Sequence, residues 1–332
     1  MKLILAALAL SSFAIAPVVF AEDPAPKPPT EKPQAEKKPA LPVYDEAAIG
    51  SEQIATALAN AKKENRRVLV QWGANWCGWC KLLHELQKSD RTISKELMYE
   101  YDVVRIDIGQ FNKHMDLAEK YGADLKKNGV PFLTVLDADG KVLANQETSS
   151  LESKVEGQKG HDPKLVLDFL KAHQAPYLDA QKVYDDAFAL AKKDSKRVFL
   201  HFGAPWCGWC HKLEGWLAKP DIATSLAKDF VELKIDTDRM TGGQALLDRL
   251  RKSDKGDIPW FVFLDSDGNV LANSDGPKGN IGFPAAPEEL EHFKGMLEKA
   301  CVKLTRDDIA TILKSLEPVK PEARVDPAPA KN

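Results

Sequence analysis

The chain contains two copies of one sequence pattern, and each copy carries two cysteines separated by two residues. Residues 67–81 read RVLVQWGANWCGWCK and residues 197–211 read RVFLHFGAPWCGWCH, with nine of 15 positions identical. A second pair of stretches, 130–146 and 258–274, shares nine of 17 positions. Because the matches keep their order and nearly their spacing, the sequence predicts two tandem copies of one domain.

Each copy predicts the same order of helices and strands. An amphipathic helix precedes a short apolar strand, and the cysteine pair then opens a second helix. A further strand and helix lead to a hairpin with an Asp-Gly turn, and a last helix closes the copy. This order predicts an α/β fold in which a mixed β-sheet is flanked by helices. The predicted helices include 52–63, 163–173, 179–193 and 287–297, and the predicted strands include 68–72, 103–108, 198–202 and 231–235.

The two ends of the chain differ from these copies in composition. Residues 1–21 have a lysine near the start, an apolar run and a small-residue end, which predicts a cleaved export signal. An uncleaved membrane anchor is the alternative. Residues 22–43 and 318–332 are rich in Pro, Lys, Glu and Ala, which predicts a disordered linker and tail. We therefore expect domains at 44–176 and 177–317 in an exported protein, periplasmic or secreted, without stable membrane insertion once the signal is cleaved.

Charge and cysteine content exclude two classes of protein. The 332 residues include 46 basic and 49 acidic side chains, for a net charge of -3, whereas a dedicated nucleic-acid binder carries a basic excess. We therefore expect no nucleic-acid partner. Five cysteines in so long a chain are too few for a scaffold held together by disulfides.

The sequence WCGWC, present in both copies, predicts redox chemistry. Two residues between cysteines on the first turn of a helix bring the sulfurs within bonding distance. The first thiol, Cys77 or Cys207, lies where unpaired backbone N–H groups and the helix dipole favour a thiolate. Since a thiolate is the nucleophile in disulfide exchange, we expect these two cysteines to attack the substrate. Cys80 and Cys210, one turn further along, would resolve the mixed disulfide.

The cysteine pairs have three other interpretations. A structural zinc site normally uses two such pairs that lie close together in sequence, whereas here each pair belongs to a different copy. A structural disulfide that closes so small a loop gains little denatured-state entropy. Inactive motifs are a third alternative, although both cysteines are present in both copies. We favour redox chemistry and expect neither a metal nor an organic cofactor, because redox-active disulfides carry the two electrons themselves.

With a strand, WCGWC and a helix in each copy, the chain resembles the thioredoxin superfamily over about residues 45–175 and 178–300. It is similar to secreted or periplasmic thioredoxin-like proteins and, in its tandem layout, to disulfide isomerases. The resemblance implies a cis-proline that faces each disulfide and a preceding residue that offers backbone hydrogen bonds to a bound peptide. The tryptophan before each nucleophile is expected to form an apolar lip under an extended substrate. The predicted substrate-binding residues are Trp76, Val130, Pro131, Trp206, Ile258 and Pro259.

The sequence departs from the thioredoxins it resembles at one buried strand position. Those proteins usually bury a carboxylate six residues before the first cysteine, where it serves as a base for the resolving thiol. Here the positions hold Gln71 and His201. We hypothesise that Cys80 is resolved more slowly than Cys210, so that the two sites are not equivalent. Ordinary drift at a strand position is the alternative.

The fifth cysteine has no partner in either motif. Phe293, Met296, Leu297, Cys301 and Leu304 fall at helical spacing, which predicts a thiol on the packed face of the last helix. An intermolecular disulfide between two copies of the chain is the alternative.

These features together predict a thiol-disulfide oxidoreductase, a reductase or an isomerase, that acts outside the cytoplasm. Its expected partners are protein or peptide disulfides and an unidentified electron donor or acceptor. The alternative from another class is a non-catalytic cell-envelope scaffold that uses its two thioredoxin-like folds to bind partners. A thiol peroxidase would need a lone peroxidatic cysteine with Arg and Thr nearby, a pattern that we do not find.

Overall fold

The structure, a computed structural model, describes residues 42–252 and 256–316. The predicted export signal, the predicted tail and nearly all of the predicted linker lie outside the described residues. Within the described part of the chain, no helix combines the length and the apolar character needed to cross a bilayer.

The first copy folds into a four-stranded mixed sheet with helices on both faces. Its elements are α1 (Gly50–Glu64), β1 (Arg67–Gly73), α2 (Gly78–Ser89), α3 (Arg91–Glu100), β2 (Tyr101–Asp107), α4 (Met115–Lys120), α5 (Leu125–Asn128), β3 (Phe132–Leu136), β4 (Val142–Glu147), a 3-10 turn (Ser149–Leu151) and α6 (Pro163–Ala172). The strand order is β2-β1-β3-β4. Strands β1 and β2 are parallel, whereas β3 runs antiparallel to both β1 and β4.

The second copy repeats this arrangement. Its elements are β5 (Leu178–Asp179), α7 (Ala180–Lys193), β6 (Arg197–Gly203), α8 (Gly208–Leu217), α9 (Pro220–Leu226), β7 (Phe230–Asp236), β8 (Met240–Thr241), α10 (Gly243–Arg251), β9 (Trp260–Leu264), β10 (Val270–Asn273), β11 (Asp275–Gly276), β12 (Gly279–Asn280), α11 (Pro287–Ala300) and α12 (Arg306–Lys314). The main sheet has the order β7-β6-β9-β10, with β6 parallel to β7 and antiparallel to β9. The predicted pair of α/β domains, each with a mixed sheet flanked by helices, is confirmed.

The central strand of each sheet is buried on both faces. Successive side chains of a strand point to opposite faces. In β1, Val70 and Trp72 pack with α1, whereas Leu69 packs with α2, α3 and α6. Gln71 therefore points to the face that α2 covers. His201, two residues after Phe199 in β6, likewise points to the face covered by α8.

The prediction for the last helix is wrong at its carboxyl end. Helix α11 ends at Ala300, so Cys301 is its C-cap and Leu304 lies beyond it. Leu304 nevertheless packs in the apolar core. Its backbone N–H donates to the carboxylate of Asp229 at 2.8 Å, and this bond holds the loop after α11 against the domain. The burial that the apolar spacing predicts for Leu304 is therefore present, although the residue lies beyond the helix. A further helix, α12, follows and buries Ile312 in the same core.

Candidate active site

The first disulfide lies at the start of α2. Cys77 is the N-cap residue of this helix, and its sulfur accepts a hydrogen bond from the backbone N–H of Cys80 at 3.1 Å. The two cysteines are bonded, with their α-carbons 5.3 Å apart. When the bond is reduced, the same N–H group and the positive end of the helix dipole would stabilise a thiolate on Cys77.

The second disulfide has the same construction. Cys207 is the N-cap residue of α8 and accepts a hydrogen bond from the N–H of Cys210 at 3.1 Å. The α-carbons of this bonded pair are 5.2 Å apart. All four sulfurs therefore lie in the pairs that the two motifs predict.

The peptide bond before each of the two prolines is cis, as the resemblance implied. The Val130-Pro131 and Ile258-Pro259 peptide bonds are both cis. The carbonyl oxygen of Val130 lies 3.5 Å from the sulfur of Cys77, and the carbonyl oxygen of Ile258 lies 3.6 Å from the sulfur of Cys207. The residue ahead of each proline thus borders the first sulfur of each pair.

The tryptophan before each nucleophile is exposed, in keeping with a lip. Trp76 is 47% exposed and Trp206 is 56% exposed. Their indole N–H groups have different acceptors: Trp76 donates to the backbone carbonyl of Gly109 at 2.7 Å, whereas Trp206 donates to the carboxylate of Asp238 at 3.1 Å. The two indoles therefore have equivalent positions but different hydrogen-bond acceptors.

The tryptophans between the cysteines have different surroundings. Trp209 is 57% exposed and lies against Phe283, with ring centroids 6.5 Å apart. Trp79 is half-buried, because the edge of the His161 ring covers it at a centroid distance of 5.6 Å. Trp79 is therefore less exposed than Trp209. His161 itself is buried, neither ring nitrogen has a hydrogen-bond partner among the described residues, and burial lowers its pKa to about 4.

Tyr44, in the segment before α1, covers the first disulfide from within the domain. Its backbone exchanges two hydrogen bonds with the side chain of Asn75, at 3.0 and 2.9 Å. The phenol is buried against the cysteines, and a β-carbon added to Gly73 would lie 2.3 Å from its oxygen and 2.8 Å from the sulfur of Cys80. In the second copy Pro205, which has no side-chain amide, stands at the position of Asn75.

The strand position that holds a carboxylate in the thioredoxins is buried in both copies. Gln71 is 2% exposed, and its amide nitrogen has no hydrogen-bond partner among the described residues. Nε2 of His201 lies 3.3 Å from a carboxylate oxygen of Glu232. Burial acts to raise the pKa of Glu232, but the hydrogen bond and charge of His201 lower that pKa below its usual value. The first copy thus offers a neutral amide where the second offers an ionisable pair.

A buried carboxylate lies one turn after Cys210 in the same helix. Glu214, one turn after Cys210 in α8, is buried, and a β-carbon added to Gly203 would lie 3.4 Å from both its Oε1 and the cysteine sulfur. The ammonium group of Lys234 lies 2.8 Å from the same oxygen. Burial disfavours a charged lysine, but the carboxylates of Glu64 and Glu214 raise the pKa of Lys234 above its usual value. The second site therefore has an ion pair with a buried carboxylate one turn after Cys210.

Sequence reasoning missed three of these neighbours of the disulfides. Asn75 is opposed by Pro205 within the matched stretches 67–81 and 197–211, and this mismatch was an available signal. Glu214 is opposed by His84 just beyond the end of those stretches. Tyr44 lies outside the matched stretches, and nothing in the sequence marks it.

The remaining cysteine lies apart from both motifs. Cys301 is half-buried and packs against the apolar core of the second domain. Burial raises the pKa of its thiol to about 12, so this thiol stays protonated. Within residues 42–252 and 256–316, no group of three or more His, Cys, Asp and Glu side chains is placed to hold a metal ion.

The fold and the two cysteine pairs agree with a match to a known protein family. The chain belongs to the thioredoxin-like family, whose model matches residues 50–138 and 179–266. The two matched regions make up more than half of the chain, and each includes one WCGWC motif.

Curated proteins and a solved structure are also similar to this chain. The chain is 29% identical over 181 residues to protein disulfide-isomerase A6 of Mus musculus, covering 50% of this chain and 39% of that protein. It is 27% identical over 194 residues to protein disulfide-isomerase tigA of Aspergillus niger, covering 54% and 47%. A solved structure of a disulphide isomerase from Xylella fastidiosa Temecula1 is 29% identical, with a TM-score of 0.35, and covers 40% of this chain and 98% of that one. The chain thus spans less than half the length of these two curated relatives.

Proposed function

We propose that this protein is a thiol-disulfide oxidoreductase that acts on protein or peptide disulfides through its two CxxC sites, as a reductase or an isomerase. The observation that carries the proposal is the position of the first sulfur in each pair. It caps a helix, accepts a backbone N–H, and lies beside the carbonyl oxygen of the residue that precedes a cis-proline. The names of the disulfide-isomerase relatives support the same activity.

In the reductive direction, the thiolate of Cys77 or Cys207 attacks a substrate disulfide. One substrate sulfur leaves as a thiolate and takes up a proton, while the other forms a mixed disulfide with the protein. The thiolate of Cys80 or Cys210 then attacks the first cysteine and releases the second substrate thiol. Two electrons pass from the protein to the substrate, and an external dithiol must restore the reduced protein. Isomerisation uses the same first step and leaves the protein reduced.

The geometry of both sites also supports particular substrate contacts. An extended peptide would lie over Trp76 or Trp206, with its backbone near the carbonyl of Val130 or Ile258. The cis-prolines, Pro131 and Pro259, would face the disulfides of the first and the second site, respectively. No organic cofactor or metal takes part in these steps. We also propose that the protein acts outside the cytoplasm, in the periplasm or after secretion, which rests on the composition of residues 1–21.

Reduction of insulin by dithiothreitol tests the activity. The wild-type protein is expected to accelerate precipitation of the insulin B chain, and Cys77→Ser combined with Cys207→Ser is expected to return the rate to the uncatalysed value. Each single variant should keep the activity of the other site. Recovery of scrambled ribonuclease would then separate isomerisation from reduction.

The scaffold alternative makes the opposite prediction. If both disulfides are inert, the wild-type protein and the double variant will give the same rate as dithiothreitol alone. That result would contradict the proposed function. Cys301→Ser is the matched control, because this cysteine belongs to neither motif and its replacement should leave the rate unchanged.

A further inference from the structure

The described residues from Pro42 onward belong to one compact unit, and polar contacts join its two domains. Tyr99 donates its hydroxyl to Asp238 at 2.8 Å. The side chains of Glu100 and Arg239 form an ion pair at 2.9 Å. A second ion pair links Glu64 to Lys234 in β7.

These contacts lie at the amino ends of the parallel strands in the first domain and at their carboxyl ends in the second domain. In the first domain they come from the last turns of α1 and α3, which directly precede β1 and β2. Cys77 follows the other end of β1. In the second domain they come from the carboxyl end of β7 and the loop after it, and Cys207 follows the carboxyl end of the parallel strand β6. The second disulfide therefore lies at the end of its domain that meets the first domain, whereas the first disulfide lies at the far end of its own domain.

Arg239 fixes the loop after β7 to the first domain. Its guanidinium pairs with Glu100, and both side chains are almost fully buried. It also donates to the backbone carbonyls of Glu64 and Asn65, at 2.8 and 2.9 Å. These carbonyls lie at the carboxyl end of α1, where helix carbonyls lack partners within the helix. The loop position is thus set by groups of the other domain.

Asp238, the neighbouring residue, links Tyr99 to the lip of the second site. Its Oδ2 accepts hydrogen bonds from the hydroxyl of Tyr99 and, at 3.1 Å, from the indole N–H of Trp206. Burial and the hydrogen bond to Asp238 raise the pKa of Tyr99, so its hydroxyl stays a donor. The corresponding indole of Trp76 instead donates to a backbone carbonyl, that of Gly109.

A cleft between the domains adjoins the residue before this lip. It has a volume of about 320 Å³ and is lined by Asn60 and Lys63 on one side and by Pro205 and His211 on the other. An extended chain that passes over Trp206 is therefore flanked by the first domain as well as the second.

We propose that the first domain completes the substrate-binding surface of the second site, with Tyr99 acting as a positioning residue that holds Asp238 and, through it, Trp206. This inference rests on the proposed oxidoreductase function. It predicts that extended protein substrates depend on Tyr99 at the second site. A small disulfide such as oxidised glutathione does not extend over the lip and should not depend on it.

The test uses the full chain with Cys77→Ser and Cys80→Ser, so that only the second site is redox-active. Adding Tyr99→Phe removes one hydroxyl and keeps the ring. We expect the KM for insulin to rise about fivefold, the equivalent of one lost hydrogen bond, with a smaller change in kcat. The rate of exchange with oxidised glutathione should change by less than about twofold. Tyr184→Phe, in α7 and stacked on Phe188, is the matched control and should alter neither value.

The reciprocal protein carries Cys207→Ser and Cys210→Ser, so that only the first site is active. There Tyr99→Phe should leave the KM for insulin as it was. An unchanged KM at the second site would overturn the inference, and so would an equal rise at both sites, which would indicate a general loss of structure. If the second site reduces no insulin even with Tyr99 present, the proposed function fails rather than this inference.

Discussion

Gln71 and His201 occupy the same buried position in the two sheets but differ in whether they can accept a proton. The second copy also places the carboxylate of Glu214 beside Cys210, whereas the first copy places the phenol of Tyr44 beside Cys80. Since a resolving thiol must lose its proton before it attacks, the hypothesis of unequal sites from the sequence gains structural support.

We predict that Cys80 releases a mixed disulfide at least about tenfold more slowly than Cys210, because a positioned base commonly contributes more than that. Stopped-flow release from full-length proteins with one active site each measures both rates. Gln71→Glu should accelerate the first site, and Gln110→Glu, at an exposed position, should not. Equal rates for the two sites and no effect of Gln71→Glu would refute the hypothesis.

His161 makes stability depend on pH. In the unfolded chain its pKa is ordinary, near 6.5, whereas burial lowers it to about 4 in the folded protein. The unfolded chain therefore binds more protons between these values, so the folded state is favoured above pH 6.5 and loses this contribution as the pH falls toward 4.

Urea unfolding of wild-type protein and His161→Leu at pH 7.5 and pH 4.5 measures this effect. Between these pH values we expect the wild-type protein to lose about 2 kcal/mol more unfolding free energy than the variant, which has no proton to take up there. Parallel pH profiles for the two proteins would show that His161 is not the group responsible.

At the scale of elements, α12 follows α11 in the second domain, and the elements described for the first domain include no counterpart of it. Thr305 caps the helix, and Ile309 and Ile312 bury its inner face against the core formed with α8, α9 and α11. The indole N–H of Trp216 donates to Ser315, just beyond the helix, at 2.9 Å. These contacts make the helix part of the domain's core.

Ile312→Ala should therefore lower the free energy of unfolding by about 2–5 kcal/mol, the usual cost of truncating a buried isoleucine. Thr311→Ala, at the exposed neighbouring position, should cost less than about 1 kcal/mol. Denaturant unfolding compares the two variants. Equal and small effects would mean that α12 is not packed on the domain in solution.

The repeated elements could be predicted from apolar spacing because the same core recurs in both copies. The helix predicted at 52–63 spans Gly50–Glu64, and the strand predicted at 68–72 spans Arg67–Gly73. The cysteine pairs were equally accessible, since they follow from the motif, whereas the cis-prolines were implied only by the resemblance to the thioredoxin superfamily. The position of Tyr44 could not be predicted in this way. Its burial depends on two hydrogen bonds with the side chain of Asn75, and such bonds leave no periodic pattern in the sequence.

At the scale of the whole molecule, the contacts between the two domains include a buried ion pair. Arg239 and Glu100 satisfy each other, and removal of one partner leaves a buried charge unpaired. Sequence comparison of the copies could not reveal this pair, because each residue's partner belongs to the other domain.

Arg239→Ala should lower the unfolding free energy by about 3–5 kcal/mol. It should also make the two domains unfold as separate transitions in calorimetry. Arg249→Ala removes an exposed arginine and should change stability by less than about 1 kcal/mol. A thermogram of Arg239→Ala that matches the wild-type protein would contradict the role assigned to this pair.

The central claim is that both cysteine pairs open and close as two-electron couples. Equilibration with glutathione buffers, followed by alkylation and mass spectrometry of the two motif peptides, measures this directly. We predict that each peptide gains two alkyl groups together, with midpoints between about -120 and -270 mV. If neither peptide gains an alkyl group at any glutathione ratio, while Cys301 is alkylated after denaturation, the two disulfides are inert and the account is wrong.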